Sequence, residues 1–217
     1  MEQLELATAD QKLILDLVSK EPFFSSFYFT GGTALSYFYL KHRYSDDLDF
    51  FSEKPFDMKH LLDVIKAWSK KYDFIVEANR SEHMDIFNLT FPKDIKLKVD
   101  FVHDPHKRIE EGIKWNSFPI DSLLDIATNK LLTINQRTSA KDFVDLFFLL
   151  QTHSLYDLME GVKVKFGIKL DTILIASDMM KVKSFTFLPR MIKPLTLGEL
   201  QTFFRSLAVE LGKQVVE

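Results

Sequence analysis

An α+β fold is predicted by three features of this 217-residue chain. Strand-like runs are confined to the stretch from Phe23 to Val102. Beyond Pro119 almost every segment repeats its apolar residues at helical spacing. Within the first half, Pro92-Lys93-Asp94 separates two strand-like runs closely enough to make them a hairpin. The change of texture near residues 116–120 divides the chain into two expected regions, 1–118 and 119–217.

The elements follow in order. Leu4 to Val18 has helical periodicity, with Leu6, Leu13, Ile14 and Leu17 as the apolar set. Phe23 to Thr30 is aromatic and β-prone and ends at Gly31-Gly32, after which Thr33 to Leu40 reads as a short helix and Asp47 to Phe51 as a strand. Asp57 to Tyr72 places Leu61, Leu62, Ile65 and Trp68 at helical spacing, with Asp57 as N-cap. Three strands are expected at Phe74–Ala78, Ile86–Phe91 and Ile95–Val102. In the last, Ile95, Leu97, Val99 and Phe101 face one way and Lys96, Lys98 and Asp100 the other. The second half should hold helices at Ser122–Asn135, Ser139–Gln151, Tyr156–Phe166, Leu170–Met180 and Leu197–Leu211.

Composition narrows the class. With 46% hydrophobic and 27% charged residues the chain is an ordinary globular one, and 21 phenylalanines imply an aromatic-rich core. The absence of cysteine excludes disulfides, thiolate metal sites and a Cys nucleophile, and is compatible with a reducing cytoplasm. The acidic start Met1-Glu2-Gln3-Leu4-Glu5 has no signal-peptide pattern, and no apolar run approaches a membrane span, so a cytoplasmic, membrane-free protein is expected. A net charge of −3 argues against a globally basic nucleic-acid binder. The local basic stretches (Lys66, Lys70 and Lys71; Lys163, Lys165 and Lys169; Lys181, Lys183, Arg190 and Lys193) read as solvated helix faces.

The chemistry concentrates in residues 30–51. In a strand, Asp47 and Asp49 project to one face while Leu48 points to the opposite layer. Two adjacent carboxylates repel unless a cation lies between them. Mg²⁺, which binds carboxylate oxygens and substrate phosphates, suits such an open edge. Asp100 is the third candidate: beside the Asp47–Asp49 strand it would complete a three-carboxylate group of the kind a two-metal phosphoryl-transfer site uses. Upstream, Gly31-Gly32 lets the backbone approach a ligand, the helix that follows offers N–H groups to an anion, and Thr33 can add a hydroxyl. The competing reading is structural, with Ser45-Asp46-Asp47 as an Asx turn or cap and Gly31-Gly32-Thr33 as a plain strand-to-helix turn.

Gly31-Gly32-Thr33-Ala34-Leu35 followed by Arg43-x-Ser45-x-Asp47-Leu48-Asp49-Phe50-Phe51 resembles the signature of AbiEii/AbiGii-type nucleotidyltransferase toxins, in the DNA polymerase β-like nucleotidyltransferase superfamily. The resemblance is specific over residues 29–51 and continues more weakly through Val99-Asp100-Phe101, Lys130 and Arg137 to Leu146. It implies a nucleotidyltransferase core over 1–118, with a mixed β-sheet flanked by helices, and a helical C-terminal region over 119–217. It also implies transfer of an NMP from an NTP to an acceptor hydroxyl with release of pyrophosphate, aided by Mg²⁺ or Mn²⁺. The family further implies a toxin of a toxin–antitoxin or phage-defence pair, a cognate antitoxin, and tRNA among the acceptors of some relatives. The chain is short for the family, which implies that an additional C-terminal acceptor-binding region is missing.

The same resemblance assigns site residues. Asp47, Asp49 and Asp100 would hold the metal. Gly31, Gly32, Thr33, Arg43, Ser45 and Arg137 would line the nucleotide phosphates, and Lys130, on a helix capped by Ser122 and Asp125, would contact them too. Asp145 is expected near the active site, orienting Lys130, whereas Asp142 is expected to form a capping box with Ser139. Arg137 and Lys141 would pair with the triphosphate or with these aspartates. His42 reads as a surface residue and His103 and His106 as turn residues. Two other functions compete: a catalytically inactive nucleotide-binding or interaction module on the same fold, and an Asp-nucleophile phosphatase. Three converging carboxylates disfavour the first; Phe50-Phe51 after the acidic pair and the glycine turn before it disfavour the second.

Overall fold

Five strands form a mixed sheet in the spatial order β1-β2-β5-β4-β3, where β1 is Phe27–Thr30, β2 Leu48–Ser52, β3 Ile75–Arg80, β4 Met84–Phe91 and β5 Ile95–His103. Every neighbouring pair is antiparallel except β2 and β5, which run parallel. The structure is a computed structural model that describes residues 6–81 and 84–214. The chain divides into two compact units. One holds the sheet (residues up to Tyr39, Ser45–Lys107 and Gly112–Asp121), and the other is helical (Leu40–Tyr44, Arg108–Glu111 and Ser122 onward).

In the sheet unit, α1 (Ala9–Lys20) opens with a reciprocal capping box between Thr8 and Gln11. The helix predicted from Leu4 starts in residues outside the described ones. Its buried stripe is Gln11, Ile14, Leu15 and Val18 rather than Leu6, Leu13, Ile14 and Leu17. Gln11 turns inward because its amide caps the loop that carries the acidic motif. The aromatic run before Gly31 is only half strand: Pro22, which suits the first turn of a helix, starts a 3₁₀ turn over Pro22–Ser26, and β1 follows. The α-helix α2 (Gly31–Ala34) continues as a π-helical stretch over Leu35–Leu40, so the helix predicted from Thr33 begins at the glycines themselves. Asp57 caps α3 (Met58–Tyr72) as expected, accepting from the amides of Lys59 and His60. The β4–β5 hairpin is present, with Phe91 opposite Ile95, and β4 alternates buried with half-buried positions along its length. A two-residue hairpin, β6 (Lys114–Trp115) with β7 (Phe118–Pro119), was not anticipated.

The core is aromatic, as the phenylalanine content predicts. Phe24, Phe27, Phe29, Phe50, Phe87 and Phe101 are each at most 1% exposed. The Phe101 ring stacks on Phe24 and on Phe50, with centroids 5.2 Å apart in both pairs. Such pairs contribute beyond their buried area, and truncating one of these rings costs about 3–5 kcal/mol.

The helical unit contains α4 (Leu123–Gln136), α5 (Ala140–Leu149), α6 (Leu155–Phe166), α7 (Thr172–Met179) and α8 (Leu197–Gln214), matching the five helices predicted. Gly167 ends α6 in the left-handed conformation. Phe143 of α5 packs edge-on against Phe204 of α8, with centroids 5.0 Å apart. Among the described residues no helix is long and apolar enough to cross a membrane. Lys165 departs from its predicted place on a solvated face. It is fully buried and paired with Asp125 at 2.8 Å. The same carboxylate accepts from the Ile109 and Glu110 amides and the Ser122 hydroxyl, so only half of the Ser122–Asp125 capping box forms.

Candidate active site

The parallel register of β2 against β5 sets Asp49 directly beside Asp100, with Leu48 beside Val99 one residue earlier. Because side chains alternate along each strand, the two carboxylates share one face. Leu48 and Val99, at most 1% exposed, fill the opposite layer. Asp47 lies immediately before β2. All three carboxylates act electrostatically on Lys98, which also bonds Asp100 Oδ2. Burial alone would lower the Lys98 pKa, but the bond to Asp100 and the charges of Asp100, Asp47 and Asp49 outweigh it and raise it. Asp100 is 6% exposed. Its burial pushes its pKa up, Lys98 opposes the rise, and the Asp47 charge adds to it.

One oxygen of this group stands out. Asp100 Oδ1 is buried without a hydrogen-bond partner. Orphaned buried carboxylate oxygens are costly, which makes this one a natural ligand for a cation. No three His, Asp or Glu among the described residues are drawn together tightly enough to form a metal-holding group as they stand. The all-oxygen donor set of Asp47, Asp49 and Asp100 nevertheless fits a hard divalent ion.

The glycine turn is built around the same acids. Gly31 has φ +76°, and a Cβ added there would lie 2.1 Å from Asp49 Oδ2. Glycine is thus required both by the backbone and by the carboxylate packed against it. Thr33 is buried and hydrogen-bonds Ser45 Oγ at 2.8 Å and the Asp47 carbonyl oxygen. Its hydroxyl therefore ties the turn to the segment entering β2. Gln11 donates to the carbonyls of Ser45 (3.1 Å) and Asp46 (2.9 Å), and Tyr37 donates to Ser45 (3.0 Å). Residues 45–47 are fixed from three directions, which holds Asp47 at the mouth of the strand. Thr30, next to the turn, donates to Asp121 at 2.6 Å, an anchor that sequence reading missed.

The remaining predicted residues meet in the helical unit. Asp145 of α5 is fully buried and receives Arg43 through two bonds (Nε to Oδ1, 2.6 Å; Nη2 to Oδ2, 2.9 Å), His42 at 2.7 Å and Lys130 at 2.7 Å. Lys130 also reaches Asp142 at 2.8 Å, and Arg137 reaches Asp142 at 2.8 Å. Burial would raise the Asp145 pKa, but the Lys130 and Arg43 charges hold it well below the usual carboxylate range. Lys130 responds in kind: burial lowers it, Asp145 and Asp142 outweigh burial, and its pKa rises.

Three expectations change here. His42 is wholly buried rather than at the surface, and that burial lowers its pKa. Asp142 does not cap α5, since Ser139 makes no side-chain cap; the carboxylate is drawn to Lys130 and Arg137 instead. Charge pairing outcompetes the cap because both cations reach it in a buried setting. Arg43, 1% exposed, is committed to Asp145 and to the Tyr44 carbonyl. The sequence hint for this cluster was the basic pair His42-Arg43 beside the motif. Its partner lies 103 residues from His42, too far for any local pattern to show.

Comparison with known proteins identifies the family and the fold. The family model described as "Nucleotidyl transferase AbiEii toxin, Type IV TA system" matches residues 13–204. An uncharacterised protein of Aquifex aeolicus is 34% identical over 158 residues, spanning 71% of this chain and 72% of its own. Among solved structures, JHP933 from Helicobacter pylori is similar with a TM-score of 0.56 at 21% identity, covering 95% of this chain and 94% of its own. MenT4, a nucleotidyltransferase toxin of Mycobacterium tuberculosis, is similar with a TM-score of 0.57 at 17% identity, over 87% and 76%. At these identities the two structures speak for the fold, and the family match speaks for the chemistry.

Proposed function

Because the chain belongs to the AbiEii family of nucleotidyltransferase toxins, we propose that it transfers an NMP from an NTP to a hydroxyl on tRNA, using Mg²⁺ held by Asp47, Asp49 and Asp100. The class of enzyme and the toxin role follow from the family, as does an antitoxin partner. The ion, the acceptor and the residue roles are our reading. The observation that carries it is the pairing of Asp49 with Asp100 across parallel strands, with Asp100 Oδ1 left without a protein donor.

When bound, the divalent ion supplies Lewis-acid stabilisation of phosphate charge and lowers the pKa of the attacking hydroxyl. The chain's own residues do the rest. The backbone at Gly31-Gly32-Thr33, where a helical stretch begins, receives the triphosphate. The Thr33–Ser45–Asp47 link keeps that turn in register with the acidic strand. Asp100 accepts the proton of the acceptor hydroxyl. The hydroxyl oxygen forms a bond to the α-phosphorus, the α–β phosphoanhydride bond breaks, and pyrophosphate leaves with the electron pair. The buried cluster of Arg43, Asp145 and Lys130 acts by holding its own unit rigid.

The test is label transfer. Purified protein is incubated with Mg²⁺, total tRNA and each NTP in turn, radiolabelled at the α-phosphate, beside an Asp47→Ala/Asp49→Ala double variant. Label on RNA with the wild type alone supports the proposal and names the nucleotide. Label on protein, or equal labelling by the double variant, overturns it.

A further inference from the structure

The face of the sheet that carries Asp49 and Asp100 does not end with them. Strand register places Glu77 (β3), Asn88 (β4) and Lys98 (β5) in one cross-strand row. Thr90 and Lys96 form the next row along the β4–β5 pair. Together with Asp47 these residues line an open cavity of about 330 Å³, near the lower end of the range for small-ligand pockets. Apart from Asp47, the reaction described above assigns no role to these residues.

Position indicates its occupant. Gly31 packs against Asp49 from the β1 side of the sheet, so the proposed triphosphate lies toward β1, at one end of the acidic row. The cavity opens at the other end, across β5, β4 and β3. In-line displacement puts the attacking and leaving oxygens on opposite sides of the phosphorus. With pyrophosphate leaving on the β1 side, the hydroxyl arrives from the cavity side. Lys96 and Lys98 stand at alternate positions of one strand, about 6.6 Å apart along it; Lys98 is tied to Asp100, whereas the exposed Lys96, 4.0 Å from Asp94, can turn to a backbone phosphate. Asn88 offers both a donor and an acceptor, the pair with which amide side chains read base edges.

We propose that this cavity holds the single-stranded 3′ end of an RNA acceptor, with Lys96 on a backbone phosphate and Asn88 on the terminal base or ribose. The inference rests on the nucleotidyl-transfer reading for its orientation. Glu77, at the outer edge of the same row, opposes a polyanion and limits how tightly the strand is held.

The test separates the two readings by measuring each ligand alone. Binding of a fluorescently labelled single-stranded oligoribonucleotide with a free 3′-hydroxyl is followed by anisotropy over a series of salt concentrations. Binding of a non-hydrolysable NTP with Mg²⁺ is followed by calorimetry. The proteins are wild type, Lys96→Ala, Asn88→Ala and Glu77→Gln, each first shown to melt like wild type. Lys96→Ala should reduce the slope of log affinity against log salt by about 0.7, the loss of one phosphate contact on a single strand. Asn88→Ala should weaken RNA binding about fivefold or more through a lost base contact. Glu77→Gln should strengthen it, an effect no merely structural role produces. NTP affinity should stay unchanged in all three. Wild-type RNA binding that the three substitutions leave intact, or no RNA binding by wild type, overturns the proposal. Loss of NTP affinity in Lys96→Ala or Asn88→Ala also overturns it and makes the cavity a nucleotide subsite. A wild type that binds RNA at this cavity but binds no NTP refutes the transfer reading and not the RNA site.

Discussion

Gly31→Ala offers a clean separation of fold from chemistry. The backbone there sits at φ +76°, which costs an L-residue about 1–2 kcal/mol. The new Cβ would also stand 2.1 Å from Asp49 Oδ2, 2.8 Å from Cγ and 3.0 Å from Cβ. A carboxylate is a movable end, so it would retreat by roughly 1 Å rather than force the strand apart. Misplacing a reacting group by that distance costs about 10²-fold in rate. The expected result is therefore a modest loss of stability, about 1–3 kcal/mol by urea denaturation, with label transfer reduced about a hundredfold. Gly198→Ala is the control, since nothing lies within 4 Å of a Cβ built there, and both readings should match wild type. A Gly31→Ala enzyme with wild-type turnover would sink the claim that Asp49 must stay where the glycine lets it sit.

Other perturbations probe the two charge clusters. Asp47→Ala and Asp49→Ala should each abolish Mg²⁺-dependent label transfer with melting temperatures close to wild type, because both side chains are only half-buried; full activity in either displaces the metal site. Chelation by EDTA should stop transfer and excess Mg²⁺ should restore it, whereas transfer that persists in chelator removes the ion from the mechanism. Asp145→Ala should cost about 3–5 kcal/mol in urea denaturation, since it removes the buried carboxylate that Arg43 and Lys130 share; a loss below about 1 kcal/mol would show that the cluster is not a fixed element. The pH dependence of stability carries its own sign. His42 and Asp145 both titrate lower in the folded state, so each contributes stability above its unfolded pKa that fades as pH falls toward the folded one. The His42 loss should begin below about pH 6.5 and the Asp145 loss below about pH 3.9. His42→Gln should then flatten the stability curve below about pH 6.5; an unchanged slope there assigns it to another group.

Much of the fold was legible in the sequence because it is locally encoded. Asp57 caps a helix through its own side chain, Pro92-Lys93-Asp94 turns a hairpin, and alternation along β5 sorts Leu97 and Val99 from Lys98 and Asp100. The Gly31–Asp49 stretch was legible for the same reason, as its glycines and aspartates lie within 19 residues of one another. What escaped is what tertiary packing decides. Gln11 reads as a polar surface residue until the loop it caps is in place. Asp142 looked like a cap because Ser139 stands three residues earlier, but two cations reach it first. Lys165 looked solvated because no local pattern shows the Asp125 carboxylate 40 residues away. The Pro22–Ser26 turn escaped for a different reason: its phenylalanines favour strand, and the proline overrides them.

The one parallel pairing in the sheet also bears on when the protein can act. β2 and β5 are separated by α3 and by the β3–β4 meander, so Asp49 meets Asp100 only after the intervening chain has folded back. Non-local pairings of this kind form late, since loop closure must precede the contacts that reward it. A nascent chain that has emerged from the ribosome through β4 carries the glycine turn, Asp47 and Asp49, but no third carboxylate. For a toxin this timing is protective. The polypeptide cannot assemble its three-carboxylate group while still being translated through its first half, and that group is complete only when β5 docks.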